Sequence, residues 1–229
     1  MAINTIGKLF ISCHIITFCS VVFSIILSFK NPYQLVQPLM TSILLHIVIG
    51  IINLRSQSNI PFPRRLLMNE SIHIIPCNLV FIALRRPSFY WILSIGLTSL
   101  YHILAFLTTQ FLPSNPGNTL LQKCQLLFQK LTANSMCEIV VAMLEIMTLV
   151  PSLGRNGGIF TLFYFLFYLF WFILYRYATS NCHRLIWGQL RQQVATLAYK
   201  LPSFLCRFLM NILNTNEQLG TLSYKIYHL

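Results

Sequence analysis

Eleven of the nineteen residues from Ile159 to Tyr177 are aromatic, and the run IFTLFYFLFYLFWFILYRY carries no charge until Arg176. A helix that is apolar all the way round has no face to offer water. At about 1.5 Å per residue the run is also long enough to approach the roughly 30 Å of a bilayer core. The segment is therefore expected to lie in lipid, and the bilayer becomes the solvent against which the rest of the chain is read.

The remainder of the sequence agrees. Hydrophobic residues make up 56% and charged ones only 9% of the 229 positions, with a mean hydropathy of +0.68. Sixteen Lys and Arg are opposed by four Glu and no Asp, a formal net charge of +12. Such an excess suits anionic lipid headgroups. Nucleic acid is not expected as a partner, because the cations are scattered between apolar segments and no separate domain remains to dock on a duplex. Seven cysteines, at 13, 19, 77, 124, 137, 182 and 206, form no CxxC or paired metal spacing, so neither a disulfide framework nor a zinc site is expected. Cys182 and Cys206, beside the last apolar segment, are candidates for palmitate.

Uncharged stretches run from Leu9 to Phe29, Leu35 to Leu54, Ser88 to Leu112 and Ile159 to Tyr175, each near or above spanning length. Two further segments are interrupted: Leu66 to Leu84 by Asn69, Glu70, His73 and Pro76, and Cys137 to Leu153 by Glu138 and Glu145. They span, re-enter or pack inside the bundle. The fold class is thus all-α, a polytopic helical membrane protein of four to six spans, with a bundle over 1–177 and a basic amphipathic tail over 178–229. Uncleaved, the first apolar run serves as a span, since it is too long for a signal-peptide core. With six spans, twelve cations fall on the side of the termini and four on the other, which predicts that both termini are cytosolic. The sequon Asn69-Glu70-Ser71 then lies at a cytosolic entry, where glycosylation is not expected.

From Arg184 onward the pattern becomes amphipathic. Trp187, Leu190, Val194, Leu197 and Leu201 step by three and four, while Arg184, Arg191 and Lys200 stand among the polar residues. Pro202 interrupts, and a second stripe of Leu205 and Phe208 follows with Arg207 away from it. Two readings stand: a helix lying on the headgroups, or one packing against the spans or a partner. Cations near a leaflet contribute about 1 kcal/mol each, and large apolar side chains roughly 1.5 to 3 kcal/mol each, so salt is expected to weaken lipid binding without abolishing it.

Carboxylates inside a bilayer cost about 2.5 to 3.5 kcal/mol and need an account. Glu138 and Glu145 lie two turns apart on one helix face, with His73 or His102 available from neighbouring helices. Glu70-x-x-His73 has the spacing of a carboxylate and imidazole that share a metal in helical di-iron proteins, but such sites use two pairs and this chain has one. No metal, cofactor or catalytic residue is therefore expected. Thr98, Ser99 and His102 are the best candidates for a polar path across the membrane, and a membrane enzyme or carrier working through Glu70, His73, Glu138 and Glu145 is the alternative reading.

Several strings occur together in one order: Lys130-Leu131-Thr132-Ala133-Asn134, the helix from Glu138 to Pro151, the span ending Tyr175-Arg176-Tyr177, and Asn181-Cys182-His183-Arg184 through Gln189-Leu190-Arg191. In these, from about Arg64 to about Ile212, the chain resembles the transmembrane-protein-thirty-three family, also called the Krüppel homolog two family, with its yeast nuclear-pore-associated relatives. It departs at Ala178, Thr179, Ser180 and Asn181, where that family has a basic doublet and a proline, which lowers the expected headgroup contact there. The resemblance implies a non-enzymatic protein of the endoplasmic reticulum and nuclear envelope. Its implied associations are reticulon-type tubule shapers, nuclear pore organisation and the stress response of the reticulum.

Overall fold

The described residues of the computed structural model are 5–29, 31–56, 60–83, 88–111, 117–149, 159–200 and scattered positions from 202 onward, and every regular element among them is helical. Helix α1 (Thr5–Ser28) turns into α2 (Gln37–Ser56) through one 3-10 turn at Pro32–Val36, which starts where Asn31 Oδ1 accepts the Tyr33 N–H at 3.0 Å. Next come α3 (Phe62–Met68), α4 (Glu70–Ala83) and α5 (Phe89–Phe106), the last widening into a π-helical stretch at Leu107–Phe111. Helices α6 (Thr119–Thr132) and α7 (Met136–Met147) follow. The aromatic run is α8 (Ile159–Phe167), a π stretch over Tyr168–Ile173 and α9 (Leu174–Thr179), after which α10 (Asn181–Ala198) begins.

Among the described residues, three helices are long and apolar enough to cross a membrane: Gly7–Ser28, Tyr33–Arg55 and Phe89–Gln110. They correspond to three of the four uninterrupted segments. The apolar helices Phe163–Thr179 and Glu70–Ala83 are shorter. The expected segment from Leu66 to Leu84 is two helices. Asn69 takes an extended backbone that ends α3, and its Oδ1 accepts the Ser71 N–H at 3.1 Å to start α4. The same side chain is buried and donates through Nδ2 to the Gly50 carbonyl at 3.1 Å.

Packing centres on α1, which lies against α2 and α5, while α2 lies against α4 and α5 against α7. The α1–α5 approach depends on Gly96: a Cβ there would sit 2.8 Å from Val21 Cγ1. The aromatic run buries one side only. Tyr164, Tyr168, Phe172 and Tyr175, spaced by four, four and three, are buried, whereas Phe163 and Phe170 are exposed. Trp91 meets Phe172 and Tyr168 edge-on at centroid distances of 4.8 and 5.6 Å. Its Nε1 donates to Asn78 Oδ1 at 2.7 Å, and Asn78 Nδ2 donates in turn to Ser42 Oγ at 3.1 Å.

Two backbone irregularities complete each other. Pro76 inside α4 has no N–H for the carbonyl four residues back, that of Ile72. Trp171 Nε1 donates to this Ile72 carbonyl at 3.3 Å. The π stretch in its turn disturbs the regular ladder at Trp171, whose carbonyl takes His73 Nδ1 at 3.1 Å. In a medium without water, freed backbone groups need such partners, so α4 and the aromatic run satisfy one another.

Candidate functional site

The carboxylates Glu145 and Glu70 find their cation at the end of the aromatic run. Glu145, on α7, is gripped by Arg176 in a bidentate fork: Arg176 Nη2 donates to Oε1 at 2.8 Å and Nε to Oε2 at 3.1 Å. Arg176 Nη2 also reaches Glu70 Oε1, at the first turn of α4, at 2.7 Å. His183 Nε2, from α10, lies 2.6 Å from Glu145 Oε2. A carboxylate only accepts, so this nitrogen carries the proton. The side chains of Glu145, Arg176 and Glu70 are 4%, 16% and 41% exposed, so the charge is deepest at Glu145. The guanidinium also lies over the Phe172 ring, 5.3 Å from its centroid. One cluster thereby joins α4, α7, α9 and α10, and Tyr168 adds a hydroxyl bond to the Glu145 carbonyl at 3.0 Å.

Beside this cluster is a cavity of about 290 Å³. Its polar wall comes from His14 on α1, His46 and Asn53 on α2, and Thr98, Ser99 and His102 on α5, with Glu70, Glu145 and Arg176 closing one side. The same lining includes the apolar side chains of Phe10, Leu45, Ile49, Ile74, Trp91 and Ile95. His14 and His102 stand 4.6 Å apart by ring centroid, with Phe10 edge-on to both. His14 is 2% exposed, and neither of its ring nitrogens has a hydrogen-bond partner among the described residues.

Of the residues singled out in the sequence, Glu70, Glu145, Thr98, Ser99 and His102 do meet, all on this cavity. His73 does not join them; its ring stacks on Tyr175 at 3.7 Å and its Nδ1 serves Trp171. Glu138 is exposed at the start of α7, where its Oε2 takes the Cys182 thiol at 3.4 Å. The two carboxylates of α7 do share a face, and it is the face met by α10. Among the described residues no group of three His, Cys, Asp or Glu is placed to hold a metal.

The tail stripe divides between two environments. Trp187 and Leu190 pack against the bundle core, Val194 is half-buried and Leu197 is exposed. Arg184 Nη1 donates to the carbonyls of Tyr177 and Ala178 at 2.9 and 3.0 Å, closing the end of α9. Arg191 reaches Asn214 Oδ1 at 3.3 Å, and Lys200 and Arg207 are exposed. Leu201, Leu205 and Phe208 lie outside the residues whose side chains are described. Cys182 is buried, and burial together with its bond to Glu138 pushes its thiol above the usual range.

Sequence reasoning missed three things here. In the sequence Arg176 stands only as one of the cations beside the last apolar segment, and neither it nor His183 is paired there with Glu145. The available signal was that buried carboxylates require a cation and that Arg176 is the only Lys or Arg within the aromatic run. Helix α6 was also missed. Its Leu120, Leu121, Cys124, Leu127, Phe128 and Leu131 form one stripe with Lys123 and Lys130 off it, and no residue of the helix is buried.

Compared with family models, with curated proteins and with solved structures, the chain matches none.

Proposed function

We propose that the protein is a non-enzymatic organiser and adaptor of endoplasmic reticulum and nuclear envelope membranes, with both termini cytosolic and six traversals, the family role implied by the strings from Lys130 to Arg191. The observation that carries this reading is a pair of basic amphipathic helices, α6 and α10, leaving the bundle from one end. That end is marked by contacts between the start of α1 and the end of α5 (Phe10 with His102), between the end of α2 and the start of α4 (Gly50 with Asn69), and between α4 and α9 (Glu70 with Arg176). This alternation supports an even number of traversals. On α6, Leu120 and Leu127 are exposed beside Lys123 and Lys130; on α10 and just beyond, Leu197 and Phe204 are exposed beside Lys200.

Such helices set at the cytosolic headgroups insert large apolar side chains into one leaflet, and their lysines favour anionic lipid. Each inserted Leu or Phe contributes roughly 1.5 to 3 kcal/mol, which exceeds the contribution of a neighbouring cation. A surface of this kind perturbs leaflet packing and offers a platform to reticulon-type shapers and nuclear pore components.

The test is imaging of the tagged full chain and of a variant carrying Leu127→Asp and Leu197→Asp, against reticulum and nuclear-rim markers. Deleting everything after Asn181 is unsuitable, since it removes His183 from Glu145. The wild type is expected on the reticulum and nuclear rim, with the variant still inserted but altered in its distribution or in tubule shape. A wild type found on other membranes, or a variant indistinguishable from it, overturns the proposal.

A further inference from the structure

Beyond any role at the leaflet, the bundle contains a built pocket. We infer that the cavity between α1, α2, α4 and α5 is a binding site for a small organic cation, a primary ammonium carrying a compact apolar group. Three properties of its walls specify this class. First, the fixed charges are two carboxylates, Glu70 and Glu145, against one guanidinium, and the Nε and Nη2 of Arg176 are already committed to those carboxylates. An anion entering the cavity meets net negative charge in surroundings of low dielectric, whereas a cation is drawn to Glu70, the more exposed of the two.

Second, His14 is buried against the cavity with both ring nitrogens unpartnered among the described residues. A buried polar group left in this state calls for an occupant. The imidazole offers a ring nitrogen as acceptor, as an ammonium requires, and Thr98 and Ser99 border the same space. Third, the cavity's lining is mixed, polar groups standing among large apolar side chains. Leu45, Ile74, Ile95 and the ring of Trp91 are part of that lining and suit an apolar body. Its volume of about 290 Å³ is close to the lower bound, about 300 Å³, of small-molecule sites. That is too roomy for a bare metal ion, and no three-ligand metal group is present among the described residues.

The ion cluster that walls the cavity also holds the start of α10 through His183. Occupancy of the pocket therefore bears on the same residues that seat that helix.

The experiment uses the full chain in phosphatidylcholine nanodiscs and three nearly isosteric probes followed by fluorine NMR: 2-(4-fluorophenyl)ethylammonium, 2-(4-fluorophenyl)ethanol and 4-fluorophenylacetate. The ammonium is expected to bind saturably, at least tenfold tighter than the alcohol, while the carboxylate shows no saturable binding. Glu70→Gln and His14→Phe, each checked for wild-type melting, are expected to weaken ammonium binding at least tenfold. His14→Phe keeps a ring of similar size, so it remains informative where Glu70→Gln fails to fold. Saturable binding of all three probes alike, unsaturable partition into the lipid alone, or ammonium affinity unchanged in a folded variant overturns the inference.

Discussion

Replacing Glu145 by Met is the sharpest perturbation of the ion cluster. Glu145 supplies two of the three carboxylate contacts of Arg176 and the only carboxylate contact of His183 among the described residues. Its side chain is 4% exposed, and Arg176 would be left with Glu70, which is 41% exposed and partly screened. Breaking a buried pair from one side costs about 3 to 5 kcal/mol, because the stranded charge stays desolvated. Glu70→Gln removes a half-exposed partner and is expected to cost about 1 kcal/mol or less. The decisive comparison is the double variant E145M/R176M. It leaves no stranded guanidinium and is expected to cost less than E145M alone, a coupling that a double-mutant cycle isolates. Unfolding of the purified protein by SDS, followed by tryptophan fluorescence, reads the stabilities. Trypsin cleavage after Arg184 and Arg191 reads release of α10, expected to accelerate in E145M. Additive costs, or an E145M no more destabilised than E70Q, would refute the account of the cluster.

Gly96→Ala and Gly188→Ala form a matched pair of glycine tests. The former places a methyl 2.8 Å from Val21 Cγ1 and is expected to destabilise by about 1 to 3 kcal/mol, whereas the latter meets nothing within 4 Å and is expected to stabilise by about 0.5 to 1 kcal/mol; thermal unfolding ranks them. Asn78→Leu strands the Trp91 N–H in the core and is expected to cost about 1 to 3 kcal/mol, visible as a lowered melting temperature. Cys182 should be the slow thiol beside partly exposed Cys206 of the tail: being buried, bonded to Glu138 and held above the usual range, it reacts with maleimide increasingly as pH rises past the ordinary thiol range. Mass spectrometry of labelled peptides checks this, and equal rates at pH 7 would contradict it.

Much of the bundle was legible because lipid leaves a sequence few choices. Uninterrupted apolar runs such as Ser88 to Leu112 announce themselves, and the structure has Phe89–Gln110 there. The buried carboxylates were legible as a problem, since Glu70 and Glu145 cannot stand alone in hydrocarbon. Their solution was not, because Arg176 lies thirty-one residues beyond Glu145 and only the tertiary fold brings the two together. The same holds for His73, whose spacing from Glu70 suggested a shared metal. The π stretch and Pro76 instead created unpaired carbonyls, and His73 was drawn to one of them. Helix α6 escaped notice for a different reason: its stripe is interleaved with glutamines and lysines, so a reading based on uncharged length passes over it. The tail stripe is amphipathic in its spacing, but periodicity does not say which surface an apolar face meets, and Trp187 and Leu190 meet the bundle.

The central claim, that α6 and α10 lie at the headgroups of one leaflet, is tested most directly by spin labels at positions 127 and 197 and, as references, at 122 and 192. All four residues are exposed on the protein, and the members of each pair are five residues apart, on well-separated sides of their helix. Oxygen and nickel-chelate accessibilities are measured on the full chain in vesicles containing anionic lipid. The account predicts that labels at 127 and 197 are reached by oxygen and shielded from nickel, while those at 122 and 192 show the reverse. Nickel access at all four positions would contradict it.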